Sequence, residues 1–126
     1  MSEIPSQLKY ASSHEWIQAE DDNLVRVGIT DFAQQSLGDI MFIQLPTLGM
    51  RFNAGEQCAV VESVKTASDL FSPVTGVICA INDRLIDAPE LVNEAPYQNW
   101  IFCLKADDSS ELAALMTAAD YQTMIE

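Results

Sequence analysis

Glu62-Ser63-Val64-Lys65-Thr66-Ala67-Ser68-Asp69 is the stretch whose reading decides the fold. It is polar, carries a lysine at its centre and separates two apolar runs. Cys58-Ala59-Val60-Val61 leads in, and Leu70-Phe71-Ser72-Pro73-Val74-Thr75-Gly76-Val77-Ile78 leads out. Short apolar runs bounded by turn residues read as β-strands, so the octapeptide reads as the connection of a hairpin with Lys65 at its tip. The chain has 6 basic residues against 19 acidic ones, and its lysines are Lys9, Lys65 and Lys105, so Lys65 is not one of many solvating a surface. A tight turn projects one side chain away from the sheet while the flanking strands fix its position.

Upstream of the hairpin, residues 14–19 and 24–29 flank the polar turn Glu20-Asp21-Asp22-Asn23, and Val25, Val27 and Ile29 alternate as half-buried strand residues do. Thr30 can cap a short helix over residues 31–36, with Asp31 at its positive end and Gly38 closing it. Residues 41–45 read as a strand stopped by Pro46. Gly49 and Gly55 punctuate a loop before the strand 57–63, and Thr75-Gly76 supplies a turn before the strand 77–81.

Downstream, residues 82–96 form a proline-containing excursion long enough to require specific packing or a function. Residues 100–105 return as a last strand. Ser109 or Ser110 can cap a helix starting at Glu111, and Thr117 opens a second stretch over 118–125, with Leu112, Leu115, Tyr121, Met124 and Ile125 on one apolar face. Short strands, frequent turns and terminal helices indicate a small antiparallel β domain with helical decoration. At 126 residues and 48% hydrophobic content the chain has the length of one domain, 1–126, with a helical C-terminal extension over about 109–126.

A formal charge of -13 repels a phosphate backbone and argues against nucleic acid and against an anionic membrane surface. It favours solubility, and it also suits steering toward basic patches on protein partners. Cys58, Cys79 and Cys103 are an odd set with no CxxC spacing; each sits in an apolar run and reads as a reduced core thiol. The N-terminal Met1-Ser2-Glu3-Ile4-Pro5 has neither secretory nor transit-peptide character, and no run reaches membrane-spanning length, so a cytoplasmic protein is expected.

Candidate chemistry is sparse. The single histidine, His14, lies in no nucleophile elbow or activated-cysteine context and reads as a strand-start or surface residue. One histidine and three dispersed cysteines offer no metal-ligand spacing, and no glycine-rich phosphate loop is present. Lys65 remains. Its ammonium ordinarily titrates near about 10.4, and Glu62 and Asp69 nearby hold the charge, so it reads as a substrate for modification rather than a catalytic base. From the octapeptide alone an ordinary exposed turn lysine is the plainer alternative.

The blocks around that lysine closely resemble the glycine cleavage H-protein family, the lipoyl carriers. They run through Lys9-Tyr10, Ser13-His14-Glu15-Trp16, Val27-Gly28-Ile29-Thr30-Asp31-Phe32-Ala33-Gln34, Leu37-Gly38-Asp39-Ile40 and Leu45-Pro46. Val61-Glu62-Ser63-Val64-Lys65, Ala67-Ser68-Asp69 and Ser72-Pro73-Val74-Thr75-Gly76 stand at the centre, followed by Leu85, Pro89, Leu91, Asn93, Pro96-Tyr97 and Trp100. So many blocks in order, over nearly the whole length, are highly specific.

The resemblance implies a mainly β fold, a flattened sandwich of two small antiparallel sheets of the lipoyl/biotinyl-carrier, barrel-sandwich hybrid type, with (R)-lipoate joined by an amide to Lys65. It implies a non-catalytic carrier. A pyridoxal-phosphate (PLP) glycine decarboxylase would load an aminomethyl group, an aminomethyltransferase would pass the carbon to tetrahydrofolate, and an FAD-dependent dihydrolipoamide dehydrogenase would reoxidise the dithiol. Lipoate-attaching enzymes are the further partners, with Glu62 and Gly76 at the positions associated with lipoylation recognition. For Gly76 a turn requiring positive φ is the weightier reason. A labile loaded arm calls for a cleft that excludes water, and Ser13, Glu15 and Asp69 are the expected acceptors for its protonated amine. A solvated carboxylate at Glu15 and a turn residue at Asp69 are equal alternatives. A monomer is expected, because one arm must visit several active sites.

Two departures from the family pattern stand out. Asn99 replaces the glycine common before the tryptophan, and a left-handed backbone is expected there. Cys79 and Cys103 have no counterpart in the family's function and are expected in the core. Biotin is disfavoured because Val64 and Thr66, not methionines, flank Lys65; a lipoyl domain of a 2-oxoacid dehydrogenase would show Asp-Lys-Ala and a linker. A lipoyl donor serving other enzymes remains the alternative, and an enzyme with Lys65 as nucleophile the outsider.

Overall fold

The computed structural model describes residues 3–126. Its strands are β1 (Lys9–Tyr10), β2 (Glu15–Ala19), β3 (Leu24–Ile29), β4 (Ile40–Gln44), β5 (Arg51–Phe52), β6 (Gln57–Ser63), β7 (Ala67–Phe71), β8 (Gly76–Ile81) and β9 (Phe102–Ala106). They pair antiparallel into a six-stranded sheet ordered β1-β2-β3-β9-β8-β5 and a three-stranded sheet ordered β4-β6-β7. The two sheets face each other across a common core and do not close into a barrel.

Alternation builds that core. Val25, Val27 and Ile29 on β3, Ile78 on β8, and Phe102, Leu104 and Ala106 on β9 point inward from the large sheet. Ile40, Ile43, Ala59, Val61 and Leu70 answer from the small one. Each such side chain contributes about 1.5–3 kcal/mol when taken fully out of water. Strand β2 departs from simple alternation, because Glu15, Trp16 and Ile17 are all buried. Glu15 and Ile17 face the core. Trp16 faces outward, into a second cluster with Leu8, Tyr10 and Tyr121 that closes the other side of the large sheet.

Trp16 also explains Gly28, its cross-strand partner. A Cβ on Gly28 would lie 2.6 Å from the indole, so the ring lies against bare backbone. The indole N–H donates to the Pro96 carbonyl at 3.0 Å and pins the excursion between β8 and β9 to the sheet. Within that excursion lie two short helices, α2 (Arg84–Asp87) and α3 (Leu91–Glu94), whose Leu85 and Val92 are buried in the main core. Specific packing, not length alone, orders it.

The expected helix after Thr30 forms as αN (Asp31–Leu37), with the Thr30 hydroxyl accepting from the Ala33 N–H and Gly38 closing the end. The turn between β2 and β3 is a 3-10 turn, Asp21–Asn23, with Asp22 and Asn23 both at φ 61°, a conformation these residues tolerate better than most. At the C-terminus, Asp108 rather than Ser109 or Ser110 caps a 3-10 turn, Ser109–Ala114, by accepting from the Ser110 N–H. Thr117 caps the final helix αC (Ala118–Ile125), and Tyr121 on it stacks on Tyr10 at 4.8 Å between ring centres.

Two expectations are corrected here. Asn99 is not left-handed: the positive-φ residues other than glycine, among those described, are His14, Asp22 and Asn23. Its buried amide instead donates to the Leu91 and Ala95 carbonyls, both at 3.0 Å, so the side chain terminates α3 where a glycine would serve only by backbone freedom. Cys79 is not in the core. A bulge in β8 between Ile78 and Ala80 leaves it exposed, whereas Cys58 and Cys103 are buried.

Replacing Gly28 with alanine forces the Trp16 indole off its seat and strains its bond to Pro96. The expected loss is about 1–3 kcal/mol, read as a lower urea midpoint at unchanged m-value. An unchanged midpoint would show that the indole is free to move.

Candidate functional site

Lys65 stands at the centre of a three-residue connection, Val64-Lys65-Thr66, between β6 and β7. The Ser63 N–H donates to the Thr66 carbonyl at 2.8 Å, while the Ser63 hydroxyl accepts from the Lys65 N–H at 3.1 Å and the Thr66 N–H at 3.2 Å. None of the three has positive φ, so the glycine- or asparagine-rich primed turns common in tight hairpins are not used. The serine side chain supplies the acceptor that the backbone cannot. The Val64 N–H donates outward to the Asp39 carbonyl at 3.0 Å, which fixes the tip against the segment after αN.

The Lys65 side chain is exposed and forms no ion pair with the described residues. Its stem passes over Gly38, where an added Cβ would sit 3.4 Å from the lysine Cε. Gly38 has φ 78° and ψ -156°, a region open essentially to glycine alone. Asn93 locks this platform: its amide donates to the Gly38 carbonyl and to Gln34 Oε1, each at 2.9 Å, and its oxygen accepts from the Ile40 N–H at 2.8 Å. The lysine is therefore exposed above a backbone segment held by three hydrogen bonds with one side chain.

Glu15 is fully buried at the start of β2, on the face that looks between the sheets. Its carboxylate accepts from the Ser13 hydroxyl through Oε1 and from the Phe71 N–H at 3.1 Å through Oε2. The second bond joins the large sheet to β7, the edge strand of the small sheet. Burial raises the Glu15 pKa above the ordinary carboxylate range, opposed by the bonds from Ser13 and Phe71. Burial and, second, the nearby Glu15 charge push the Cys58 thiol up to about 12.

Ser13 and Glu15 line a cleft of about 270 Å³ whose other walls include Tyr10, Phe71, Pro73 and Met116. The C-terminal extension makes one wall. It is held there by Glu111, which accepts from the Thr75 N–H at 2.8 Å and the Thr75 hydroxyl at 3.2 Å. Beyond Ser13, the backbone turns at His14, which adopts φ 75°. The His14 ring meets the Tyr121 hydroxyl at 2.8 Å, and that hydroxyl meets Thr30 Oγ1 at 2.7 Å. Burial lowers the His14 pKa, and His14 Nδ1, the Tyr121 hydroxyl and Thr30 Oγ1 form a hydrogen-bonded chain that ends where Thr30 Oγ1 accepts from the Ala33 N–H. His14 is thus half-buried scaffolding behind the cleft.

The other expected site residues are dispersed along the hairpin. Glu62 and Asp69 are both exposed. Glu62 is opposite Ala67, and Val60 opposite Asp69, so these four share the outer face of the small sheet, with Phe71 two residues beyond Asp69. Asp69 lies between the lysine and the cleft; it does not line the cleft and makes no hydrogen bond to Ser13 or Glu15. Gly76 does not have positive φ, which corrects the turn reading. It opens β8, and a Cβ there would fall 2.3 Å from the Lys105 carbonyl oxygen, so close approach of β9 is what demands glycine. Phe71, Asn93 and Met116 complete the site's surroundings without any local sequence signal, because each acts through residues remote in the chain.

Because the folded pKa of Glu15 is raised, the folded state disfavours its ionisation. Stability is lost as pH rises from the unfolded value, about 4.3, toward the folded one, and stays lost above it. Glu15→Gln removes that dependence. The variant should therefore gain stability relative to the parent between pH 4 and pH 7 in urea titrations, and a constant difference across that range would contradict the raised pKa.

The family model described as "Glycine cleavage H-protein" matches residues 8–126. Among curated relatives, the glycine cleavage system H protein of Cronobacter sakazakii is 53% identical over 127 residues, covering 100% of this chain and 98% of the relative. That of Methylococcus capsulatus is 51% identical, covering 100% and 99%. A crystal structure of a glycine cleavage system H protein from Mycobacterium marinum superposes with a TM-score of 0.88 at 38% identity, covering 97% of this chain and 98% of that one. Full-length agreement in sequence, together with the same two-sheet architecture, places this chain in the glycine cleavage H-protein family, the lipoyl carriers of the glycine cleavage system.

Proposed function

We propose that Lys65 is the residue that carries the lipoyl group. The modified protein receives an aminomethyl group from the PLP-dependent glycine decarboxylase, delivers it to the tetrahydrofolate-dependent aminomethyltransferase, and is returned to the disulfide form by the FAD-dependent dihydrolipoamide dehydrogenase. The observation that carries this reading is an exposed lysine without an acidic partner among the described residues, on a hairpin tip immobilised by Ser63, Asp39 and Gly38, in a chain of a lipoyl-carrier family. The protein is a carrier with no catalytic residues of its own, one domain working as a monomer in the cytoplasm.

When attached, the group supplies a dithiolane disulfide that takes up and releases the one-carbon fragment. The chain's own residues do the rest. Acylation removes the Lys65 charge, and the open surface beside Gly38 leaves room for a lengthened side chain. The distance along β7 from Lys65 to Phe71 is six residues, roughly 20 Å when extended, with Asp69 on the way. Asp69 meets a cationic amine on the outer face, and Ser13 with Glu15 receives it in the cleft. Each Glu15 oxygen retains acceptor capacity beyond its present bond, and an arriving cation would lower the carboxyl pKa and hold it ionised. Glu62, beside the tip, is the mark read by lipoate-attaching enzymes; Gly76 contributes by keeping β8 against β9.

Incubation with lipoate and an attaching enzyme should add one lipoyl mass to the parent protein and none to Lys65→Arg. No adduct on the parent, or one on the variant, overturns the assignment. Glu62→Ala should slow attachment about tenfold, equivalent to about 1.4 kcal/mol of barrier, with an unchanged thermal midpoint. Glu15→Ala and Asp69→Ala should shorten the lifetime of the aminomethyl-loaded protein, followed by release of formaldehyde and ammonia. Unchanged lifetimes would remove both residues from the arm's protection.

A further inference from the structure

The outer face of the large sheet holds a pair of thiols that the carrier function does not use. Strand β8 pairs Ile78 with Leu104 and Ala80 with Cys103, so the bulge residue Cys79 sits with Ala80 opposite Cys103. Ile78 and Leu104 point into the core, which sends Cys79 and Cys103 to the same outward side. The Cys79 thiol donates to the Cys103 carbonyl at 3.4 Å. Cys79 is exposed; Cys103 is 7% exposed. On the other flank of Cys103, β3 places Arg26 directly opposite.

We propose that Cys79 and Cys103 are a reversible thiol–disulfide site that responds to hydroperoxides, with Cys79 as the attacking thiol and Cys103 as the resolving one. The Cys79 thiol gives up its proton and the thiolate attacks the terminal oxygen of the hydroperoxide; an S–O bond forms, the O–O bond breaks, and the leaving hydroxide or alkoxide takes up that proton and departs as water or an alcohol. The Cys103 sulfur then attacks the Cys79 sulfenic acid, forming the S–S bond and breaking S–O, and its proton leaves with the hydroxyl as water. Two electrons pass from the thiol pair to the peroxide, and a dithiol reductant reverses the change by exchange.

The division of labour follows from access. Burial, with the neighbouring Cys79 thiol second, pushes the Cys103 thiol up to about 12, while Arg26 opposes the shift and is positioned to favour negative charge as Cys103 reacts. Cys103 pairs with Ala80, and the bulge sets Cys79 beside that pair with its thiol within 3.4 Å of the Cys103 carbonyl oxygen, so the two cysteines adjoin across neighbouring strands. The bridge would close residues 79–103 into a loop containing α2, α3 and Asn93, the residue that braces Gly38 beneath Lys65. Cys58, buried in the small sheet, is the internal control.

The full chain, lipoylated and unlipoylated, is treated with stoichiometric hydrogen peroxide, alkylated under denaturing conditions and mapped by peptide mass. The expected result is one cross-linked peptide pair joining Cys79 to Cys103, with Cys58 alkylated, in both forms, and a rise of about 5–15 °C in Tm that dithiothreitol reverses. In Cys103→Ser, dimedone should label Cys79. Full alkylation of all three cysteines, Cys79 recovered as sulfinic acid or in intermolecular dimers while Cys103 stays free, or no dimedone adduct on Cys79 in the variant would overturn the proposal.

Discussion

The buried carboxylate of Glu15 is where the two sheets, the cleft and the C-terminal extension depend on one another. An isolated carboxylate in this position would cost several kcal/mol, and only its hydrogen bonds from Ser13 and Phe71 make it tolerable. The bond to Phe71 ties β2 of the large sheet to the free edge of β7, so the strand that descends from the Lys65 hairpin is held in place by the group at the cleft's floor. The same arrangement leaves Glu15 with unspent acceptor capacity and a raised pKa. An acid held that way is poised to gain when a cation arrives.

Around this contact, the rest of the chain divides into a base for the lysine and a wall for the cleft. The excursion between β8 and β9 supplies the base: Trp16 holds Pro96, Asn99 terminates α3, and Asn93 fixes Gly38 under the Lys65 stem. The C-terminal extension supplies the wall, clamped by Glu111 on Thr75 and by Tyr121 against Tyr10, Thr30 and His14. Neither segment has enough regular structure to stand alone. The excursion is ordered by side chains that satisfy backbone carbonyls, and the extension by Glu111 satisfying the Thr75 N–H and by the Tyr121 hydroxyl and ring contacts, which is what long irregular connections require if they are to be buried.

Much of the fold was legible because its determinants are local. Thr30 and Thr117 cap the helices that follow them, Val25, Val27 and Ile29 alternate into the core, and Lys65 stands at the tip of a hairpin, although only residues 64–66 of the polar octapeptide lie outside its strands. The misreadings share a different character. Gly76 was expected to need positive φ and instead makes room for the Lys105 carbonyl; Asn99 was expected to be left-handed and instead uses its amide; Cys79 was expected in the core and is turned out by a bulge. In each case the residue type is compatible with two physical reasons, and the choice between them depends on a neighbour far away in sequence.

The order of apolar runs, caps and turn residues was sufficient to specify a mainly β chain, since periodicity and capping act over a few residues, while the family was legible only through the ordered motif blocks that resemble it. Tertiary structure alone decided which polar groups meet. It buried Glu15 between the sheets, brought Ser13 and Phe71 to it, left Asp69 outside the cleft on the hairpin's outer face, and set Cys79 beside Cys103. Those outcomes depend on sheet register and on a one-residue bulge, and a shift of one residue in either reverses which face a side chain occupies.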